Sequence, residues 1–153
     1  MSRNLSDERR RWFLKGAAGL GILLGAAHLA ADVFWMKFNF REHPTLGLML
    51  VLSPCLSFLV LGLVARSQGR GRYLVSMPSL CFGAAVGVVI NVFTIWMELI
   101  EFLTPYNGGG ANIGMGLLLL GTPIFTPPLM FATVLAVELA VRSIGPRRPQ
   151  THS

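Results

Sequence analysis

The chain predicts an all-α integral membrane protein: four transmembrane helices in a small up-down bundle with both termini cytoplasmic. Three observations carry that expectation. The first is composition. Of 153 residues, 53% are hydrophobic and only 13% charged, and the mean hydropathy is +0.60, too apolar and too charge-poor for an ordinary soluble domain. The second is the presence of four long runs nearly free of charge, at 16–36, 45–65, 77–103 and 113–141. Each reaches the roughly 20 helical residues that span a hydrocarbon core of about 30 Å. They lack period-two alternation and are about twice as long as a barrel strand, which excludes a closed barrel. The third is charge placement. Arg3, Arg9, Arg10, Arg11 and Lys15 precede the first run, Arg66, Arg70 and Arg72 separate the second from the third, and Arg142, Arg147 and Arg148 follow the fourth. Only Lys37 and Arg41 lie on the other side, so the positive-inside rule places the basic side in the cytoplasm. The net charge of +6 is thereby explained by topology, and no nucleic-acid partner is expected. Trp12 and Tyr73 fall at the inner boundary and Trp35, Trp96 and Tyr106 at the outer one, as interfacial aromatic residues should. The connections are short, no repeat is detectable, and residues 1–153 read as one four-helix membrane domain with short basic tails.

Helix 1 begins after a distinctive basic segment. Arg10, Arg11, Trp12, Phe13, Leu14 and Lys15, followed by the Gly/Ala-rich GAAGLGILLGAAHLAA, resemble a twin-arginine export signal. The resemblance covers about the first thirty residues, and Arg9 stands where such signals carry Ser or Thr. It implies a bacterial inner (cell) membrane and folded cargo. Downstream, however, lie only membrane runs and two short outer loops, and no A-x-A site follows beyond a GAA at 25–27. Helix 1 is therefore expected to stay as an anchor oriented by its Arg cluster.

Helix 2 is entered through His43 and Pro44 and carries Pro54, a kink position, with Ser53 and Ser57 one turn apart in the manner of helix-packing residues. Cys55 and Cys81 stand singly within helices, outside any CxxC arrangement, and are expected to be small packing residues. Helix 3 starts between Leu74 and Ser79, with Pro78 suited to its first turn. Helix 4 contains GTPIFTPPLM, in which Pro123, Pro127 and Pro128 remove three backbone donors and predict a kink or break. Freed carbonyls there, with Thr122 and Thr126, could coordinate a cation as discontinuous transporter helices do. The plainer alternative is a proline kink healed by neighbours. Glu138 and Arg142, spaced i, i+4, read as a solvated rim salt bridge.

Helices 1 and 3 run in the same direction, so their faces can be compared depth by depth. At about 100° per residue, Gly21, Gly25, His28 and Asp32 fall within an arc of roughly 60°. Gly83, Gly87, Asn91, Thr94, Glu98 and Glu101 fall within roughly 80°. Each stripe opens with a GxxxG pair, which allows close helix approach. The expectation is that these glycines pack helix 1 on helix 3, bringing His28 and Asp32 opposite Asn91, Glu98 and Glu101. Three carboxylates and an imidazole in a dry site cannot all be ionised without a compensating cation. They would hold and exchange protons, or bind a divalent metal through His28, Asp32, Glu98 and Glu101. The Glu-x-x-His pairs of di-iron bundles and the His-x-x-x-His of zinc enzymes are absent. The competing expectation puts Glu98 and Glu101 in the headgroup region, paired with Lys37 or Arg41. A haem held by this chain alone is not expected, since His28 is the only histidine inside a span, with His43 at a boundary and His152 in the tail.

Three functions are compatible with these residues. The leading expectation is an accessory or structural subunit of a larger membrane assembly, energy-transducing assemblies included, docked to other subunits or to itself within the lipid bilayer. The second is a small proton- or cation-coupled transporter or channel acting as an oligomer. The third is a membrane metallo- or redox enzyme, although no motif diagnostic of catalysis is present.

Overall fold

The computed structural model describes residues 2–35, 44–67, 75–103 and 113–144. It is all-helical, with no strand among these residues: α1 (Ser2–Ala30), which passes into a π-helical segment (Ala31–Trp35), α2 (Pro44–Ser67), α3 (Met77–Leu103) and α4 (Ile113–Ile144). All four helices are long and apolar enough to cross a membrane. α1 extends well before the apolar run at 16–36 because residues 2–15 contain neither Gly nor Pro and include four Arg with Leu5, Glu8, Leu14 and Lys15, all good helix formers. Pro44 opens α2, where a missing N–H costs nothing. Ser76 caps α3: its hydroxyl accepts from the Ser79 N–H at 3.4 Å. The expectations that rest on Lys37, Arg41, His43, Arg70, Arg72, Tyr73, Tyr106, Arg147, Arg148 and His152 lie outside the described residues.

The polarity of the bundle is inverted relative to a water-soluble protein. Leu23, Val89, Leu117 and Leu139 are about two-thirds exposed, whereas His28, Asp32, Thr94 and Glu98 have no exposed surface. Apolar side chains line the outside, and these polar groups lie inside beside an apolar core, as expected where lipid rather than water surrounds the helices.

The glycine stripes determine which helices touch, but not in the pairing expected from sequence. A Cβ at Gly21 would meet the Pro54 carbonyl oxygen at 2.9 Å, and one at Gly25 the Val51 carbonyl oxygen at 2.6 Å, so this row faces α2. Gly83 and Gly87 face Val134 and Met130 of α4. α1–α2 and α3–α4 therefore form two antiparallel pairs, while α1 and α3 meet more sparsely. A GxxxG row specifies a close approach without naming the partner. The short connection between consecutive helices brings the sequence neighbour to that face first. Ala17, Leu24, Phe58, Leu61, Ala65, Leu80, Met130 and Val134 fill the seam between the pairs. Cys55 packs between α1 and α2, its thiol 3.4 Å from the Gly21 carbonyl oxygen. Cys81, by contrast, is exposed on α3 rather than packed.

Two further departures have local causes. α4 is helical without interruption through Pro123, Pro127 and Pro128, so the helix break expected at Thr122–Pro128 is absent. Pro127 cannot donate to the carbonyl four residues earlier, that of Pro123, and the Ser53 hydroxyl of α2 donates to it instead at 3.0 Å. Glu138 is buried rather than a solvated rim acid. Its carboxylate accepts from the Ser76 N–H at 2.6 Å, the Ser79 hydroxyl at 3.0 Å and Arg142 Nε at 2.9 Å, so the expected i, i+4 pair is one part of a cap on α3. At the same end Arg10, one of the basic residues that precede the first apolar run, is buried and donates to the Ala65 carbonyl at 2.9 Å and the Val75 carbonyl at 3.3 Å.

Candidate functional site

Despite the different glycine pairing, the two polar stripes converge. Gly25 seats α1 closely on α2, and Gly87 lets Met130 pack beneath the next polar turn of α3. This leaves one turn of α1 and two turns of α3 facing each other across the interior with polar side chains. His28 Nε2 lies 3.0 Å from Asn91 Oδ1. Asn91 Nδ2 donates to the Gly87 carbonyl at 2.7 Å, which turns its amide oxygen toward the imidazole. Only an Nε2–H can satisfy that oxygen, so the hydrogen-bond network assigns the proton to Nε2. His28 Nδ1 is thereby directed at Glu98, 3.6 Å from Oε1, just beyond a direct hydrogen bond.

Asp32 completes the cluster from the π-helical segment. The wide π turn follows directly on α1 and tucks both Ala31 and Asp32 fully inside. Single π turns often occur where a helix must re-aim a functional side chain. The Asp32 carboxylate lies within electrostatic reach of Glu98 and of His28. Of the six buried side-chain polar atoms without a hydrogen-bond partner among the described residues, five belong to this trio: His28 Nδ1 and both oxygens of Asp32 and of Glu98. Buried polar atoms are ordinarily satisfied, so their concentration at one point marks a site rather than a defect spread through the fold.

The charge balance follows from these groups. Two ionised carboxylates carry two negative charges, and no Lys or Arg pairs with either of them among the described residues. Burying an uncompensated charge costs several kcal/mol, on the order of 3 or more. A neutral centre therefore holds two protons among His28, Asp32 and Glu98, or one proton and a monovalent cation. The Nε2–H donated to Asn91 belongs to the neutral imidazole and is not one of these two, so both lie among His28 Nδ1 and the carboxylates of Asp32 and Glu98.

The α3 stripe continues to a contact that the sequence expectation left outside the site. Thr94 Oγ1 lies 2.7 Å from Thr122 Oγ1 of α4, and each hydroxyl also lies within hydrogen-bond distance of its own helix's carbonyl, Ile90 or Leu118. Thr126, one turn on, has a buried hydroxyl without a partner, the sixth of the unsatisfied atoms. Thr94 shares the stripe of Asn91 and Glu98, and Thr122 sits beside the first proline, so both signals were present in the sequence. What it lacked was the α3–α4 register.

Glu98 is buried and faces His28 in the bundle interior, while Lys37 and Arg41, the partners of the competing expectation, lie outside the described residues. Glu101 also belongs to α3, but its side chain lies outside the described residues, and the metal set containing it is described only in part. Among the described residues no three His, Cys, Asp or Glu side chains are grouped so as to hold a metal ion. No family model, curated protein or solved structure matches the chain.

Proposed function

We propose that this chain is a multi-pass membrane protein that handles protons or a monovalent cation at the His28–Asp32–Glu98 centre, with both termini on the cytoplasmic side of a cell membrane. The single observation that carries this reading is the set of five unpartnered polar atoms on three ionisable side chains that have no exposed surface. A purely structural polar cluster would be expected to satisfy its own hydrogen bonds. One that binds and releases an ion keeps acceptors open for it. Asn91 fixes the imidazole, Glu98 and Asp32 supply exchangeable acceptors, and the Thr94–Thr122 pair extends the polar face toward α4.

The second reading, an integral subunit of a larger assembly, is favoured by the enclosure of the same centre. Its side chains have no exposed surface, and four helices leave little room for a continuous path through one protomer. In that case the centre relays protons to a neighbouring subunit or to a second copy. Reconstitution into vesicles with an entrapped pH dye tests the first reading. Proton flux under an imposed potential should be lost in Glu98→Gln and in Asp32→Asn. Flux equal to wild type in both variants would remove these acids from any pathway. Absence of flux in the wild type, together with co-purifying subunits in mild detergent, would favour the second reading.

A further inference from the structure

A second polar feature lies at the opposite, basic end of the α1–α2 pair. Arg11 and Lys15, one turn apart on α1, and Arg66, in the last turn of α2, line a groove of about 420 Å³ together with Glu8, Trp12 and Leu14. The ion pairs among the described residues are His28–Glu98 and Glu138–Arg142, so Arg11 and Arg66 face the groove without a carboxylate partner. Lys15 Nζ stands 5.3 Å from the centroid of the Trp12 ring, within cation–π range, which holds its ammonium beside the groove. Three cations thus line the groove against one acid.

Depth identifies the ligand. As helix, Lys15 to Val33 measures about 27 Å and Thr45 to Arg66 about 32 Å, both close to the hydrocarbon thickness of about 30 Å. When these stretches fill the hydrocarbon layer, the three cations sit at headgroup level, with Trp12 at the depth tryptophan prefers. We propose that this groove binds the anionic headgroup of a phospholipid. Its phosphate takes the guanidinium groups of Arg11 and Arg66 and the ammonium of Lys15, and Trp12 and Leu14 pack against the glycerol and first acyl carbons. The inference is independent of the buried centre.

Native mass spectrometry of the full-length protein in detergent, titrated separately with phosphatidylglycerol and phosphatidylcholine, tests it. Phosphatidylglycerol should bind the wild type more tightly. Arg66→Gln should weaken it about five-fold and the combined Arg11→Gln, Lys15→Gln, Arg66→Gln variant roughly 100-fold, while Glu8→Gln, which removes the one acid of the groove, should strengthen it. Arg9→Gln is the control: Arg9 is exposed in the same basic cluster but does not line the groove, so its loss should leave binding unchanged. Equal affinity for the two lipids, or an equal loss in Arg9→Gln and Arg66→Gln, would overturn the site in favour of diffuse attraction. Displacement of phosphatidylglycerol by millimolar inorganic phosphate would overturn the lipid assignment in favour of a free anion. The gain expected for Glu8→Gln cannot arise from misfolding, so the proposal stays testable even if the triple variant fails to fold.

Discussion

Glu98 and Glu138 are both buried acids, near opposite ends of the α3–α4 pair, and their surroundings could hardly differ more. Glu138 accepts from the Ser76 N–H, the Ser79 hydroxyl and Arg142 Nε. Glu98 has no hydrogen bond at either oxygen, with only His28 Nδ1 nearby at 3.6 Å. One carboxylate is fully engaged in holding α3 to α4. The other is fully buried beside His28 of α1, with both oxygens unengaged. The difference separates a structural acid from one kept available for a ligand, a distinction that burial alone does not make.

Substitution should split the two ends by sign. Glu138→Ala strands the Ser76 N–H, removes one of the two partners of the Ser79 hydroxyl and breaks the pair with Arg142, and should destabilise the protein by about 3 kcal/mol, read as unfolding in mild detergent. Glu98→Gln or Asp32→Asn removes an uncompensated charge and should leave stability unchanged or raise it. A loss in Glu98→Gln comparable to that in Glu138→Ala would erase the comparison. Arg10 belongs to the satisfied end, and Arg10→Gln should cost about 2 kcal/mol through its lost bonds to the Ala65 and Val75 carbonyls. Arg9→Gln, at an exposed neighbour, should cost almost nothing in the same assay. A smaller loss than at Arg10 is expected midway along the bundle: Ser53→Ala leaves the Pro123 carbonyl without its donor and should cost about 1 kcal/mol while leaving ion handling intact. A larger loss there, accompanied by altered flux, would tie the proline segment to the site after all.

Much of this contrast was legible in the sequence, and the remainder was hidden for identifiable reasons. The four apolar runs reappear as four helices because length and hydropathy are local properties. His28, Asp32, Asn91 and Glu98 meet because a helix period fixes which side chains share a face, and α1 and α3 run in the same direction. Partner choice was not legible. Gly21 and Gly83 announce close approaches but not that α2 and α4 make them. Nor could local pattern show Arg10 reaching Ala65, or Ser53 supplying a donor to the Pro123 carbonyl, because those contacts join residues 55 and 70 positions apart. The π turn that tucks Asp32 inside has no composition signal of its own.

The central claim, that the His28–Asp32–Glu98 centre takes up and releases protons while Glu138 does not, is tested most directly by infrared difference spectroscopy across a pH step in membranes, in water and in deuterium oxide. The account predicts a carboxyl band that shifts on deuteration, is lost or altered in Glu98→Gln and in Asp32→Asn, and persists in Glu138→Gln. A wild-type spectrum without such a band, or a band that only Glu138→Gln removes, would contradict it.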